Sequence, residues 1–350
     1  VKDRHAGAVR LGHGRRSRGW AMIAQADAVE DRAQGARGRS RGGPMAAALV
    51  GLVVALSGCT VAQGASSPAA PGRSVTQAAA EPSATPAAGT PTVRAPALPA
   101  PGKAIPKAPA ELARALTGTA AQLRRAIDDW RRAGGTATGR VPDSVVLPAL
   151  YQQRLYRHLA RNSEVASRTY AALPKALAGP AKADVTAIRK LLSLAHPVSD
   201  PAKFRVEKPE PADVLIGHFR RAERRFGVDW EVLAAVMFVE TKFGRVRSPS
   251  HTGAKGPMQF MPRTWEAYGM GGDVHDTRDA ILAAANYLHA SGAPRDYRRA
   301  LYAYNHSWAY VDAVLLHARQ IKRDVRNYYA YYNWQVFVIT TRGERRLTGP

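Results

Sequence analysis

The feature that most constrains this chain is the run WEVLAAVMFVETKF over residues 230–243, apolar for most of its length and bounded by helix start and stop signals. Asp229 stands where an N-cap accepts the first free N–H groups. Gly244 stands just past the end, where a left-handed residue costs least. Leu233, Val236, Met237 and Glu240 recur at i, i+3, i+4 and i+7, so a helix places them on one face. Glu240 then lies in an apolar stripe, away from solvent. Burial disfavours the charged form of a carboxylate and raises its pKa, which suits a general acid working near neutral pH. The plainer reading has Glu240 at a frayed helix end, paired with Lys242 or Arg245, and the helix pattern alone does not separate the two.

Two further stretches follow in order: Gly253-Ala-Lys-Gly-Pro-Met-Gln-Phe-Met-Pro-Arg-Thr-Trp265, then Ala303-Tyr304-Asn305. With Glu240-Thr-Lys-Phe-Gly244 they resemble the E-S-x-F-G, G-x-M-Q and A-Y-N motifs of the lytic transglycosylases. These bacterial enzymes cut the glycan strands of peptidoglycan on a lysozyme-like fold. The wording GPMQFMP-x-TW, with A-A-x-Y-L after it, is most similar to the membrane-bound lytic transglycosylase B type. The resemblance spans roughly residues 211–320, and it is specific because three motifs keep their order.

The resemblance implies Glu240 as the catalytic residue, with Ser250, Met258, Gln259, Tyr287, Tyr304 and Asn305 at the substrate. In it, Tyr304 hydrogen-bonds near the acid, Asn305 supports the cleft, and Ser250 lies near the glutamate and the sugar acetamido group. Gln259 carries both a donor and an acceptor for a sugar amide or hydroxyl. Met258 reads better as core packing than as a direct sugar contact, and Tyr287 as either cleft or packing. Trp308 and Tyr310 stack on sugar or pack. Thr241 stands where many relatives have Ser and keeps the hydroxyl.

Hydrolysis of a glycoside usually uses two carboxylates, and no good second one is evident. Asp273, Asp276 and Asp279 fall in a turn and a helix cap, without the D-x-D-x-D-G alternation of a calcium loop. No metal and no cofactor are expected. The family chemistry needs only one glutamate: the substrate's acetamido group assists, and the muramyl C6 hydroxyl closes to a 1,6-anhydro end. A goose-lysozyme-like muramidase and a non-catalytic peptidoglycan-binding module are the alternatives.

The rest of the chain is read as delivery and support. Residues 1–58 combine an over-extended N-terminus, with Met22 as a plausible start, and a signal peptide: an Arg-rich n-region, then an apolar segment at 45–56 too short to span a bilayer. It ends in Leu56-Ser57-Gly58-Cys59, which resembles a lipobox, as in an actinobacterial lipoprotein; a secretory signal with a chance cysteine is the rival reading. Cys59 is the single cysteine, so no disulfide forms within the chain. Lipidated, it offers two acyl chains, enough for stable anchoring at the outer face of the cell membrane. Residues 59–109 form an Ala/Pro/Ser/Thr-rich linker that cannot bury enough surface to fold.

Residues 110–200 read as helical, with breaks near Pro174 and at Gly179-Pro180. Residues 201–325 read as the catalytic domain, and 326–350 as a Tyr-rich, strand-like tail. The fold class is mainly α. The net charge of +24 fits attraction to an anionic wall; no basic-aromatic, zinc or helix-turn-helix signal points to nucleic acid.

Overall fold

The structure, a computed structural model, describes residues 97–350. The signal segment, the lipobox with Cys59 and most of the linker lie outside the described residues.

The first half is helical throughout. Helices α1 (Pro109–Arg132), α2 (Gly135–Thr138), α3 (Asp143–Arg161), α4 (Ser163–Ala172) and α5 (Lys175–Leu192) follow one another. In α1 the periodic residues Leu112, Leu116, Leu123, Ile127 and Trp130 are all buried, facing α3 and α4. The break at Pro174 is present, between α4 and α5, but α5 runs unbroken through Gly179 and Pro180. Pro180 costs one backbone hydrogen bond. The helix persists because α5 is packed against α3 and against the later helix Trp308–Arg323, and burial outweighs local propensity.

The second half contains α6 (Ala212–Phe226), α7 (Trp230–Thr241), α8 (Pro262–Tyr268), α9 (Thr277–Ala290), α10 (Tyr297–Tyr304), α11 (Trp308–Arg323) and α12 (Arg326–Tyr332), then the antiparallel pair β1 (Phe337–Thr340) and β2 (Gly343–Arg346). The outer face of α6 carries Arg220, Arg221, Arg224 and Arg225 into solvent. Helix α7 is the axis of this half, touching α6, α9, α11 and α12. Every residue from Val232 to Thr241 is buried, so the helix has no solvent face and the expected one-sided stripe is too narrow a description. An all-apolar helix must be covered on every side, and each fully buried Leu, Val, Met or Phe contributes roughly 1.5–3 kcal/mol.

Both ends of α7 differ from the sequence expectation. Asp229 occupies the N-cap position, but its side chain accepts from Tyr297 Oη at 2.8 Å and pairs with Lys322 Nζ at 2.7 Å. Glu223 Oε1 takes the Trp230 N–H instead, at 3.0 Å. At the other end the helix stops at Thr241. Lys242, Phe243 and Gly244 then all take left-handed backbone, with φ of 54°, 60° and 79°. The first two pay for this conformation with on the order of 1 kcal/mol each. Phe243 N–H closes the helix end onto Met237 C=O at 3.2 Å, while the Phe243 ring packs between Phe238 and Tyr328.

The Tyr-rich stretch is the clearest departure. Residues 327–332, expected to be strand-like, form most of α12; among the described residues the named strands are those of the hairpin of β1 and β2. Tyr328, Tyr331 and Tyr332 sit at i, i+3 and i+4 and are fully or almost fully buried with Trp334. Phe238 of α7 stacks on Tyr331 with ring centroids 5.0 Å apart. The tyrosine hydroxyls each find an acceptor: Tyr328 on Ala212 C=O, Tyr329 on Asp213, Tyr331 on Asp184, and Tyr332 on Glu210 C=O. Aromatic residues favour strands on average, but that preference reflects packing on a half-buried surface. Here the surface is a helix crossing.

One core runs from Leu112 to Trp334. The segment between α5 and α6 carries one 3-10 turn, Pro201–Lys203, and makes two isolated bridges, Val198 to Thr340 of β1 and Val206 to Val246 beyond the end of α7. Residues before α1 are also held, since Tyr151 Oη donates to Ala104 C=O and Arg154 donates to the carbonyls of Pro101 and Lys103.

Candidate active site

Glu240 lies in the last turn of α7, 2% exposed. Its Oε1 accepts from Tyr310 Oη at 2.8 Å, whereas Oε2 has no partner. Neither Lys242 nor Arg245 pairs with it. Lys242 Nζ donates to Phe238 C=O at 2.9 Å, and Arg245 donates to Lys242 C=O at 3.1 Å. Desolvation pushes the Glu240 carboxyl from 4.5 up to about 8, with Tyr310 and the Lys242 charge pulling weakly the other way. The group is therefore protonated at neutral pH, with Oε2 the oxygen left without a partner.

The residue after the acid is a strut. Thr241 Oγ1 donates to Pro257 C=O at 2.6 Å and accepts from Gly244 N–H at 2.8 Å. Pro257 belongs to a tight turn in which Lys255 and Phe260 exchange backbone hydrogen bonds of 2.8 Å. Gly256 opens this turn at φ 74°, and a Cβ there would stand 1.9 Å from Val274 C=O. Only glycine fits. The next carbonyl in the turn, Met258 C=O, accepts from Tyr304 Oη at 2.6 Å. The three motifs thus converge. Thr241 from the first and Tyr304 from the third grip successive carbonyls of the second, across 16 and 46 positions of sequence.

The expected site residues fall into distinct places. Met258 is fully buried, a core residue that contributes its carbonyl. Gln259 is strained at φ 53° and donates from Nε2 to Gly256 C=O at 3.0 Å, while its buried Oε1 has no partner. Tyr287 packs on Tyr304 and donates to Ala303 C=O at 2.7 Å. Asn305 is buried at the C-cap of α10. Tyr304 bonds to the turn and reaches Glu240 only through space, raising no direct bond to the carboxyl. Ser250 is set apart: its Oγ accepts from Ala254 N–H at 2.9 Å, ties to Thr252, and lines a groove with Lys203, Phe204 and His251.

The residue that sequence reasoning did not assign is Tyr310. Only its place, in the first turn of α11 behind the Ser307 cap, hinted that it points inward. Trp308 instead is 52% exposed and stacks on Tyr302 with centroids 4.4 Å apart. Asp273, Asp276 and Asp279 accept from the backbone N–H groups of His275, Asp279 and Asp273 respectively. Among the described residues no cluster of His, Cys, Asp and Glu could hold a metal ion, and no helix is long and apolar enough to cross a membrane.

Residues 217–323 match the family described as "Transglycosylase SLT domain". Over 90 residues the chain is 33% identical to the membrane-bound lytic murein transglycosylase F of Thiobacillus denitrificans (strain ATCC 25259 / T1), a match covering 26% of this chain and 19% of that protein. The chain thus spans about a fifth of the length of this curated relative. That relative is of the F type, whereas the GPMQFMP wording resembles the B type. No solved structure matches. The helical architecture around α7 agrees with the lysozyme-like SLT fold, and the match over residues 217–323 takes in Glu240, the 253–265 turn and Tyr304-Asn305 together.

Proposed function

We propose that this protein is a peptidoglycan lytic transglycosylase that cleaves the β-1,4 bond between N-acetylmuramic acid and N-acetylglucosamine, with Glu240 as both acid and base. The observation that carries the reading is the Glu240 carboxyl: buried, held by one tyrosine, and protonated up to about pH 8. No carboxylate is among the groups that act on it. The site therefore suits single-glutamate chemistry better than the paired carboxylates of ordinary glycosidases.

Glu240 Oε2–H protonates the glycosidic oxygen as the bond to muramyl C1 breaks. The substrate's 2-acetamido oxygen stabilises the cation at C1. The carboxylate left behind keeps its bond from Tyr310 and takes the proton of the C6 hydroxyl as that oxygen closes onto C1. The product is a 1,6-anhydromuramyl end, no water is consumed, and Glu240 returns protonated. A buried Oε2 means that glycan entry separates the walls around it before the proton can pass. Lipidation at Cys59 and residence outside the cytoplasmic membrane belong to the same proposal.

The test is digestion of purified peptidoglycan by the chain and by Glu240→Gln, with the ends read by mass spectrometry. Anhydromuramyl ends from the first and none from the second are expected. Reducing muramyl ends that depend on Glu240 would make it a muramidase, and wall binding without cleavage by either protein would make it a binding module.

A further inference from the structure

The last turn of α7 also faces a cavity of about 150 Å³ that the reaction at Glu240 does not use. Phe238, Val239 and Lys242 form one wall, with Ile188 and Leu192 of α5 and Val338 of β1 among the residues opposite. Arg157, His317 and Trp334 complete its polar side. The cavity reaches the surface at His196 and Phe204, which keep solvent exposure. There it shares Val198 and Phe204 with the groove lined by Ser250.

The chemistry of this wall is one-sided. No carboxylate lines the cavity. Gln153 is committed in both directions, to the backbone N–H and C=O of Gln335 at 2.8 and 2.9 Å. What remains is donors. Trp334 Nε1 and Arg157 Nε are buried with no hydrogen-bond partner, and the Trp334 side chain is 2% exposed. The His317 Nδ1 edge leans towards Asp184 Oδ1 at 3.5 Å. Arg157 spends its outer edge on Glu344. Among the described residues Lys242 makes one bond, to Phe238 C=O, and no ion pair; burial, and then the like charge of Arg157, lower its pKa from 10.5 to about 7.

Buried donors without acceptors and buried cations without counter-ions are both costly, so a ligand that supplies negative oxygen recovers what the fold leaves unsatisfied. A cation is repelled by Lys242 and Arg157. A bare inorganic anion would face an apolar wall over most of its surface. The volume suits a group about the size of one six-membered ring, by comparison with apolar cavities of similar size that hold benzene. We infer that this cavity is a binding site for a small organic carboxylate, its oxygens on Lys242 and the free donors of Trp334 and Arg157, and its apolar body against α5 and β1. The site stands independently of the reaction at Glu240.

Benzoate is the probe, with benzylamine and benzamide as cationic and neutral counterparts of the same shape. The full chain is titrated while the Trp334 indole N–H is followed by NMR, assigned by its absence in Trp334→Phe. Benzoate is expected to shift that resonance saturably, with a Kd of about 10 mM or tighter, and the two counterparts are expected not to. Lys242→Met is expected to weaken benzoate at least tenfold, as loss of a charge-assisted hydrogen bond requires. Ala195→Trp fills the mouth without touching any charge and is expected to abolish binding; it decides the matter should Lys242→Met not fold. An unshifted Trp334 resonance, benzamide or benzylamine binding as well as benzoate, or wild-type affinity in either variant overturns the assignment.

Discussion

Replacing Glu240 by Gln should stabilise the protein, and by an amount that grows with pH. In the native state burial holds the carboxyl protonated up to about pH 8, against 4.5 when it is freely solvated. Between these values the folded chain keeps a proton that the unfolded chain has released. The sign follows from linkage: this group's contribution is fully present below 4.5 and is lost as pH rises through about 8. The loss runs at about 1.4 kcal/mol per pH unit and totals about 5 kcal/mol above pH 8. Glutamine has the same shape, retains an oxygen for the Tyr310 hydroxyl, and does not titrate. Near pH 5 the variant and the parent should therefore be nearly equal. The variant's advantage should then widen towards 5 kcal/mol, which is a ceiling, because Lys242 loses an attractive neighbour when the carboxylate is removed. Urea unfolding of both proteins across about pH 5 to 9 measures it, and the difference between the two curves cancels the titrating groups that do not interact with Glu240. At a few degrees per kcal/mol the same trend is visible in Tm. A difference that stays flat across this range would mean that Glu240 is not held protonated in the fold, and the acid assignment would lose its physical basis.

Three further outcomes follow from the same geometry. Tyr310→Phe removes the one side-chain hydrogen bond to the Glu240 carboxyl among the described residues; the carboxyl should rise further, moving the alkaline limb of the pH–activity profile upward, with activity down about 10–100-fold for a bond worth roughly 1.5–3 kcal/mol. A profile superimposable on the parent's would refute Tyr310 as the partner. Thr241→Val leaves Pro257 C=O and Gly244 N–H without their buried partner and should cost about 1–3 kcal/mol in urea unfolding, whereas Thr241→Ser should recover most of it; equal losses in both would point to packing instead of hydrogen bonding. Gly256→Ala places a Cβ against Val274 C=O at a left-handed φ. It should shift the turn and lower both stability and cleavage of peptidoglycan, and an unchanged urea midpoint would show that the turn has room to give.

Much of the site could be read from residue order because its parts are local. The Glu240 helix begins just after Asp229 and ends at Thr241, three residues before Gly244, the turn is spelled by its glycines, and each motif holds its own backbone shape. What those motifs do for one another could not be read in this way. The partner of Glu240 comes from 70 positions away, and nothing in the spacing distinguishes Tyr310 from Trp308, although one is buried at the acid and the other lies open on the surface. Asp229 shows the same limit. Its position is that of a cap, yet long-range partners, Tyr297 and Lys322, take its oxygens.

The tail and the α5 region show where local preference misleads. Tyrosines favour strands on average and Gly-Pro favours a break, but α12 and the unbroken α5 exist because each is packed against several other helices. The sequence alone determined the helical class, the family motifs, and a carboxylate set among apolar residues, since these depend on periodicity and on neighbours within a few positions. Only the tertiary structure decided that the carboxylate has a single tyrosine as its partner, that Thr241 and Tyr304 grip one turn, and that a donor-lined cavity backs the same helix. Each of these depends on groups brought together across tens of residues, where burial and hydrogen bonding, instead of spacing, set what a side chain can do.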